Sequence, residues 1–253
     1  MSLPMPELPE AERARGLIAE HALGRRIVAV EDHDRYVSRP HPQGEIASAL
    51  IGRQLTSANR VGKTLWCQTD MDGLVLGLHL GMAGRIAIDE PPHEPWDRFA
   101  LTFEDGTRMA LRDKRRLGRA TLAPDLSQLG PDAEAVTRAQ FRARVGRGRT
   151  AIKARLMDQS VIAGVGNLLA DETLWQARID PRRPAADLSQ RELDELRRAM
   201  RAAVRQALKR GGAHTGTLIP KRTREGHCPR CGRPLSRTRV GGRTTYWCPH
   251  DQH

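Results

Sequence analysis

Cys228, Cys231 and Cys248 have the spacing that points most directly to chemistry. A C-x2-C pair lets two sulfurs hold one ion from a single tight knuckle, and a zinc ion asks for four ligands in a tetrahedron. Sixteen residues separate Cys231 from Cys248. The intervening PLSRTRVGGRTTYW reads as two strands joined at Gly241-Gly242, a hairpin that returns Cys248 to the knuckle. Such a short, basic hairpin has too little core to hold its own shape, so one structural zinc is the expected cofactor. For the fourth ligand, Asp251 has the position that a second C-x2-C would give to cysteine, and His253 has the better zinc chemistry. Asp251 is preferred, and His250 beside it is expected to point away. Cys67, alone in TLWCQTD, reads as a small core residue rather than a reactive thiol.

The frame around these ligands changes character along the chain. At 253 residues it can bury a real core in one large domain or two modest ones. Its 42 Lys and Arg against 30 Asp and Glu leave a net charge of +12, the footprint of a polyanionic partner. No run reaches the ~18 apolar residues of a membrane span. MSLPMPELPEAE lacks the basic end and apolar middle of a signal peptide, so a cytoplasmic location is expected. ELPEAERARGLIAEHALG predicts an early helix, with Pro9 in its first turn and Gly24 as a stop. Short β-rich segments then follow to about residue 123, with hairpin signals at Met71-Asp72-Gly73 and Glu104-Asp105-Gly106. Beyond APDLSQLGPDA the period is helical. It ends in a long run that opens on a Ser189/Glu192 capping box and stops at Gly211-Gly212. The expected fold is α+β and multi-domain. An antiparallel β-sandwich with flanking helices occupies 1–123, a linker 124–135, a helical domain 136–221 and the zinc hairpin 222–253.

Four further strings carry a resemblance: PELPEAE at 6–12, HLGMAG at 79–84, DKRRLG at 113–118 and IKARLMDQSVIAGVGNLLADETLW at 152–175. With the terminal cysteine hairpin, and in that order, they resemble the formamidopyrimidine-DNA glycosylase and endonuclease VIII family of repair enzymes. The resemblance implies a helix–two-turns–helix motif in the helical half and double-stranded damaged DNA in a cleft between the halves. It implies a monomer with no membrane partner. The implied activity is excision of oxidised bases followed by cutting at the abasic site.

By motif position the nucleophile is Pro6, whose secondary amine acts once it is the N-terminus. An α-amine has a pKa near ~8 against ~10.4 for lysine, so roughly a tenth is unprotonated at neutral pH. It can attack the sugar C1′, expel the base and form an iminium whose electron-sink character permits β- and δ-elimination. Glu7 is the implied general acid/base and Lys63 the implied catalytic loop lysine. His79, Asn167 and Arg243 fall where the family holds phosphates. Asn167 follows Gly164-Val165-Gly166 at a helix start, a place that favours an anion. Met82, Arg115 and Leu117 match the wedge that fills the space left by a flipped base. Lys153 and Glu172 match further functional positions, Lys153 on the DNA side.

Two departures stand out. Met1–Met5 precede Pro6, and an internal proline has no amine, so the chain as written is expected to be inactive until it begins at Pro6. The alternative reading is a non-catalytic damaged-DNA-binding protein of the same fold. Leu117 replaces the aromatic usual in the 8-oxoguanine-directed branch, and the basic loop at 213–225 is unlike that branch's lesion-capping loop. Both lean toward oxidised pyrimidines or broad substrate use.

Overall fold

The computed structural model describes residues 5–93 and 95–253. Alternating side chains and tight turns fold residues 27–122 into two antiparallel four-stranded sheets. One has the order β1 (Ile27–Glu31), β6 (Asp97–Phe103), β7 (Arg108–Arg112), β5 (Arg85–Ile88). The other runs β2 (Leu55–Val61), β3 (Thr64–Thr69), β4 (Val75–His79), β8 (Arg119–Leu122). Along β3 the buried positions are Leu65, Cys67 and Thr69, the period of two that a half-buried strand requires. Cys67 and Leu65 face Leu76 and Leu78 across the ladder. They join Phe99, Leu101, Phe103, Met109 and Leu111 in one core. Cys67 is 1% exposed and burial pushes its thiol up to about 12, as a core residue should show. Ala11, Ala14 and Ile18 of α1 (Leu8–His21) enter the same core.

A short helix, α2 (Glu45–Leu50), and strand β8 were not foreseen from the sequence. Neither is long enough to show a period.

The second compact unit comprises Ser127–His253 together with Glu7–Pro9. Its helices are α3 (Arg138–Val145), α4 (Ile152–Met157), α5 (Asn167–Ala177) and α6 (Gln190–Arg210). Ser189 caps α6, with its side chain taking the Glu192 N–H while the Glu192 carboxylate takes the Ser189 N–H. Leu193, Leu196, Met200, Ala203, Val204 and Ala207 form the buried stripe of α6. Residues 130–136, expected within and just beyond a linker, are docked instead. Gly130 and Ala133 N–H bond to Gln159 and Ala163 carbonyls, and Ala133 and Val136 are buried. A hairpin of β9 (Ser236–Val240) and β10 (Arg243–Trp247) ends the chain. Among the described residues no helix is long and apolar enough to cross a membrane.

Candidate active site and nucleic-acid interface

In the first unit, Lys63 sits in the tight turn between β2 and β3, and the next residue, Thr64, pairs with His79 at the end of β4. Burial first, and the Lys63 charge second, lower the His79 pKa. Its Nδ1 accepts the Gly81 N–H at 2.9 Å. In a neutral imidazole the other ring nitrogen then carries the hydrogen, so His79 is a neutral donor.

Beyond His79 the chain turns through Met82, which is half-buried. Gly81 has φ +61, and a Cβ there would fall 2.4 Å from the Leu117 carbonyl carbon. Only glycine lets the two loops approach this closely. The 113–118 loop is built on Asp113, fully buried, whose carboxylate accepts the N–H groups of Arg115, Leu117 and Gly118 at 2.9, 2.7 and 2.7 Å. That framework leaves Arg115 exposed and Leu117 38% exposed. The proposed wedge residues therefore stand on adjoining loops.

In the second unit, Glu7 is fully buried. Its carboxylate lies at the start of α5, accepting Gly166 N–H at 3.0 Å, Leu168 N–H at 2.7 Å and Leu169 N–H at 3.0 Å. A Cβ on residue 166 would fall 2.3 Å from the Glu7 carboxyl carbon, so glycine is what admits it. The N–H donors of Gly166, Leu168 and Leu169 at this helix start hold an anion, and that anion is Glu7. The Asn167 side chain beside them has a buried Oδ1 with no hydrogen-bond partner among the described residues.

Lys153 is enclosed by protein groups. Its side chain is fully buried and its ammonium meets Asp171 at 2.7 Å, the Thr245 hydroxyl at 2.6 Å and the Thr244 carbonyl at 3.3 Å. The ammonium is committed here to protein partners. Asp171 also pairs with Arg222 at 2.8 Å and accepts the Tyr246 N–H at 3.1 Å. The cluster thus ties α4 and α5 to β10, whose first residue is the exposed Arg243. Glu172, likewise buried, accepts the Leu218 N–H at 2.8 Å and anchors the stretch before the finger.

The sulfurs of Cys228, Cys231 and Cys248 lie within 4.8 Å of one another. N–H donors from Trp175 and from the backbone of Cys231 and Arg230 lower the Cys228 thiol against its burial, while burial and the neighbouring sulfurs raise that of Cys248. Three gathered sulfurs, two of them at C-x2-C spacing, are a donor set that fits zinc. Asp251 is buried too, but its carboxylate pairs with Arg230 and with Arg178, the latter at 3.2 Å. His253 is exposed. The three sulfurs are gathered; neither candidate fourth ligand stands among them.

These features have counterparts in known proteins. Residues 5–120 match the formamidopyrimidine-DNA glycosylase N-terminal domain and residues 128–218 the H2TH domain of the same enzymes. Residues 227–253 match the zinc finger found in FPG and IleRS. The formamidopyrimidine-DNA glycosylase of Roseiflexus sp. (strain RS-1) is 39% identical, with 98% of this chain and 100% of that protein covered. That of Geobacillus kaustophilus is 33% identical over 98% of this chain and all of that protein.

The chain belongs to the formamidopyrimidine-DNA glycosylase family.

A solved structure of the Lactococcus lactis member with THF-DNA and an inhibitor superimposes with a TM-score of 0.86 at 26% identity, covering 98% of this chain and 100% of that one. Another holds DNA containing an oxidised pyrimidine, with a TM-score of 0.85 at 27% identity over 98% and 99%. Membership makes the chain a DNA glycosylase with a structural zinc finger, a role that fits the cysteine cluster. Of the residues expected to block Pro6, Met1–Pro4 lie outside the described residues; Pro6 itself is buried. Three structural residues escaped the sequence reading: Asp113, Asp171 and Trp175. Asp113 had a local signal, an aspartate followed by a short polar loop. Trp175, whose indole N–H meets Cys228 Sγ at 3.3 Å, had none.

Proposed function

We propose that the chain is a bifunctional glycosylase and abasic-site lyase that removes oxidised bases from duplex DNA, working as a monomer in the cytoplasm. The observation that carries this reading is the grip on Glu7. A fully buried carboxylate held by three backbone N–H groups is fixed in orientation, and the residue bonded to it is Pro6. Cutting the Met5–Pro6 bond turns the Pro6 nitrogen into a secondary amine. That amine attacks C1′, the base leaves, and the iminium drives strand scission. Glu7 moves the proton at the sugar and Lys63 assists. His79, through its neutral N–H, and Asn167 and Arg243 hold phosphates. Met82, Arg115 and Leu117 fill the vacated stack. Leu117 in place of an aromatic supports oxidised pyrimidines among the substrates. Cys228, Cys231 and Cys248 hold zinc, with Asp251 as the fourth ligand once it gives up an arginine contact.

The test is a pair of single-turnover rates for protein beginning at Pro6, on a dihydrothymine duplex and on a ready-made abasic duplex. Both should be cut. Met82→Ala and Leu117→Ala should slow the first at least tenfold more than the second, because unstacking a paired base costs a few kcal/mol and an abasic site has no base to evict. Equal slowing of both would remove the wedge assignment, and no cutting of either would remove the catalytic reading.

A further inference from the structure

The chain's bulky rings are mostly enclosed. Phe99, Phe103 and Phe141 are fully buried, and Trp175 and Trp247 nearly so. Tyr36 and Trp96 are exceptions, 43% and 36% exposed. They flank a single loop, 113–118.

On one side, the guanidinium of Arg116 stands 5.6 Å from the Tyr36 ring centre, and that of Arg35 stands 5.2 Å away. On the other, the Lys114 ammonium is 5.4 Å from the Trp96 ring centre. The rings are held in place. Buried Asp34 meets Arg116 at 3.0 Å and Arg98 at 3.5 Å, and Arg119 donates to the Tyr36 carbonyl at 3.0 Å. Asp113 N–H donates to the Trp96 carbonyl at 2.7 Å, and His93 stacks on the indole at 4.2 Å. The loop they flank also presents the exposed Leu117.

We propose that Tyr36 and Trp96, with Lys114, Arg116 and Arg35, form a binding site for unpaired nucleotides beside the wedge loop. Aromatic faces interleaved with cations suit single-stranded nucleic acid: bases stack on the rings while the cations follow the phosphates. A base inside a duplex already has both faces stacked, so only an unpaired base can use these rings. Lys114 sits on a flexible stem that can yield the Trp96 ring to a base and keep its charge near the phosphate, while Arg116, paired with Asp34, holds a fixed charge beside the Tyr36 ring. The site extends the enzyme's reach to single-stranded and bubble DNA. It deepens the reading above by naming a substrate class, and it rests on that reading only for the place of the wedge. It does not depend on the Pro6 chemistry.

The experiment uses the full chain and measures binding without cleavage at one fixed salt concentration. The probes are a fluorescent undamaged oligothymidine and an undamaged duplex of equal length. The parent should bind the oligothymidine. Trp96→Ala and Tyr36→Ala should each weaken that binding about fivefold or more, the lower end of what losing a stacking ring costs. Duplex binding should change less than twofold. Trp96→Phe and Tyr36→Phe should restore most of the loss, which separates stacking from damage to the fold. A parent with no oligothymidine binding would overturn the proposal, as would alanine variants that leave it intact. Equal weakening toward both probes would overturn it too, by making the rings general duplex contacts or parts of the fold.

Discussion

His79 shows how one residue's environment sets its chemistry. Its pKa is lowered, by burial first and by Lys63 second, and its Nδ1 is committed to Gly81. An unfolded histidine takes up its proton near pH ~6.5 and this one only at lower pH, so the unfolded state binds more protons in between. The stability that His79 contributes is therefore present above pH ~6.5 and lost as pH falls through the folded value. His79→Gln should shrink the drop in urea midpoint between pH 7.5 and 5.5. A variant with the parent's full drop would show that His79 is not the titrating group. Residues of this kind were legible to different depths. The three cysteines could be read because their spacing is local. The grip on Glu7 could not, because its donors lie about 160 residues away in the chain, at Gly166, Leu168 and Leu169. The sequence showed a place for an anion, expected there to be a phosphate, and gave no sign that Glu7 occupies its donors.

At the scale of elements, long periodic or capped segments were legible and short ones were not. The Ser189/Glu192 box and the apolar stripe of α6 announce that helix in the sequence. β8 has four residues and α2 six, with no side-chain cap on α2, so only the tertiary fold decides their state. The surroundings of Lys153 were illegible for a related reason. The resemblance put it on the DNA side, but its protein partners lie far off in the chain, Thr245 being 92 residues away. Its burial makes two measurements diverge. Lys153→Met should lower the unfolding free energy, by less than the about 3–5 kcal/mol of a buried charge left wholly unpaired, because Asp171 loses one partner and keeps Arg222. The slope of log Kobs against log salt on duplex DNA should stay as in the parent. A slope smaller by about one unit, with stability intact, would put Lys153 on a phosphate after all.

For the whole molecule, the order of the parts was written in the change of period: strands, then helices, then a cysteine hairpin. The net charge of +12 named the class of partner. The linker at 124–135 was less legible, since Ala133 and the adjoining Val136 gave too few apolar residues to signal that the segment docks. The central claim for the molecule is that Pro6 supplies the nucleophile. Sodium borohydride reduces an iminium to a stable amine, so it should trap a covalent adduct between an abasic duplex and protein beginning at Pro6. The chain beginning at Met1, in which that nitrogen is an amide, should give far less. Mass mapping should place the linkage on Pro6. Equal trapping by the two forms, with the linkage on Lys63 or another amine, would contradict the account.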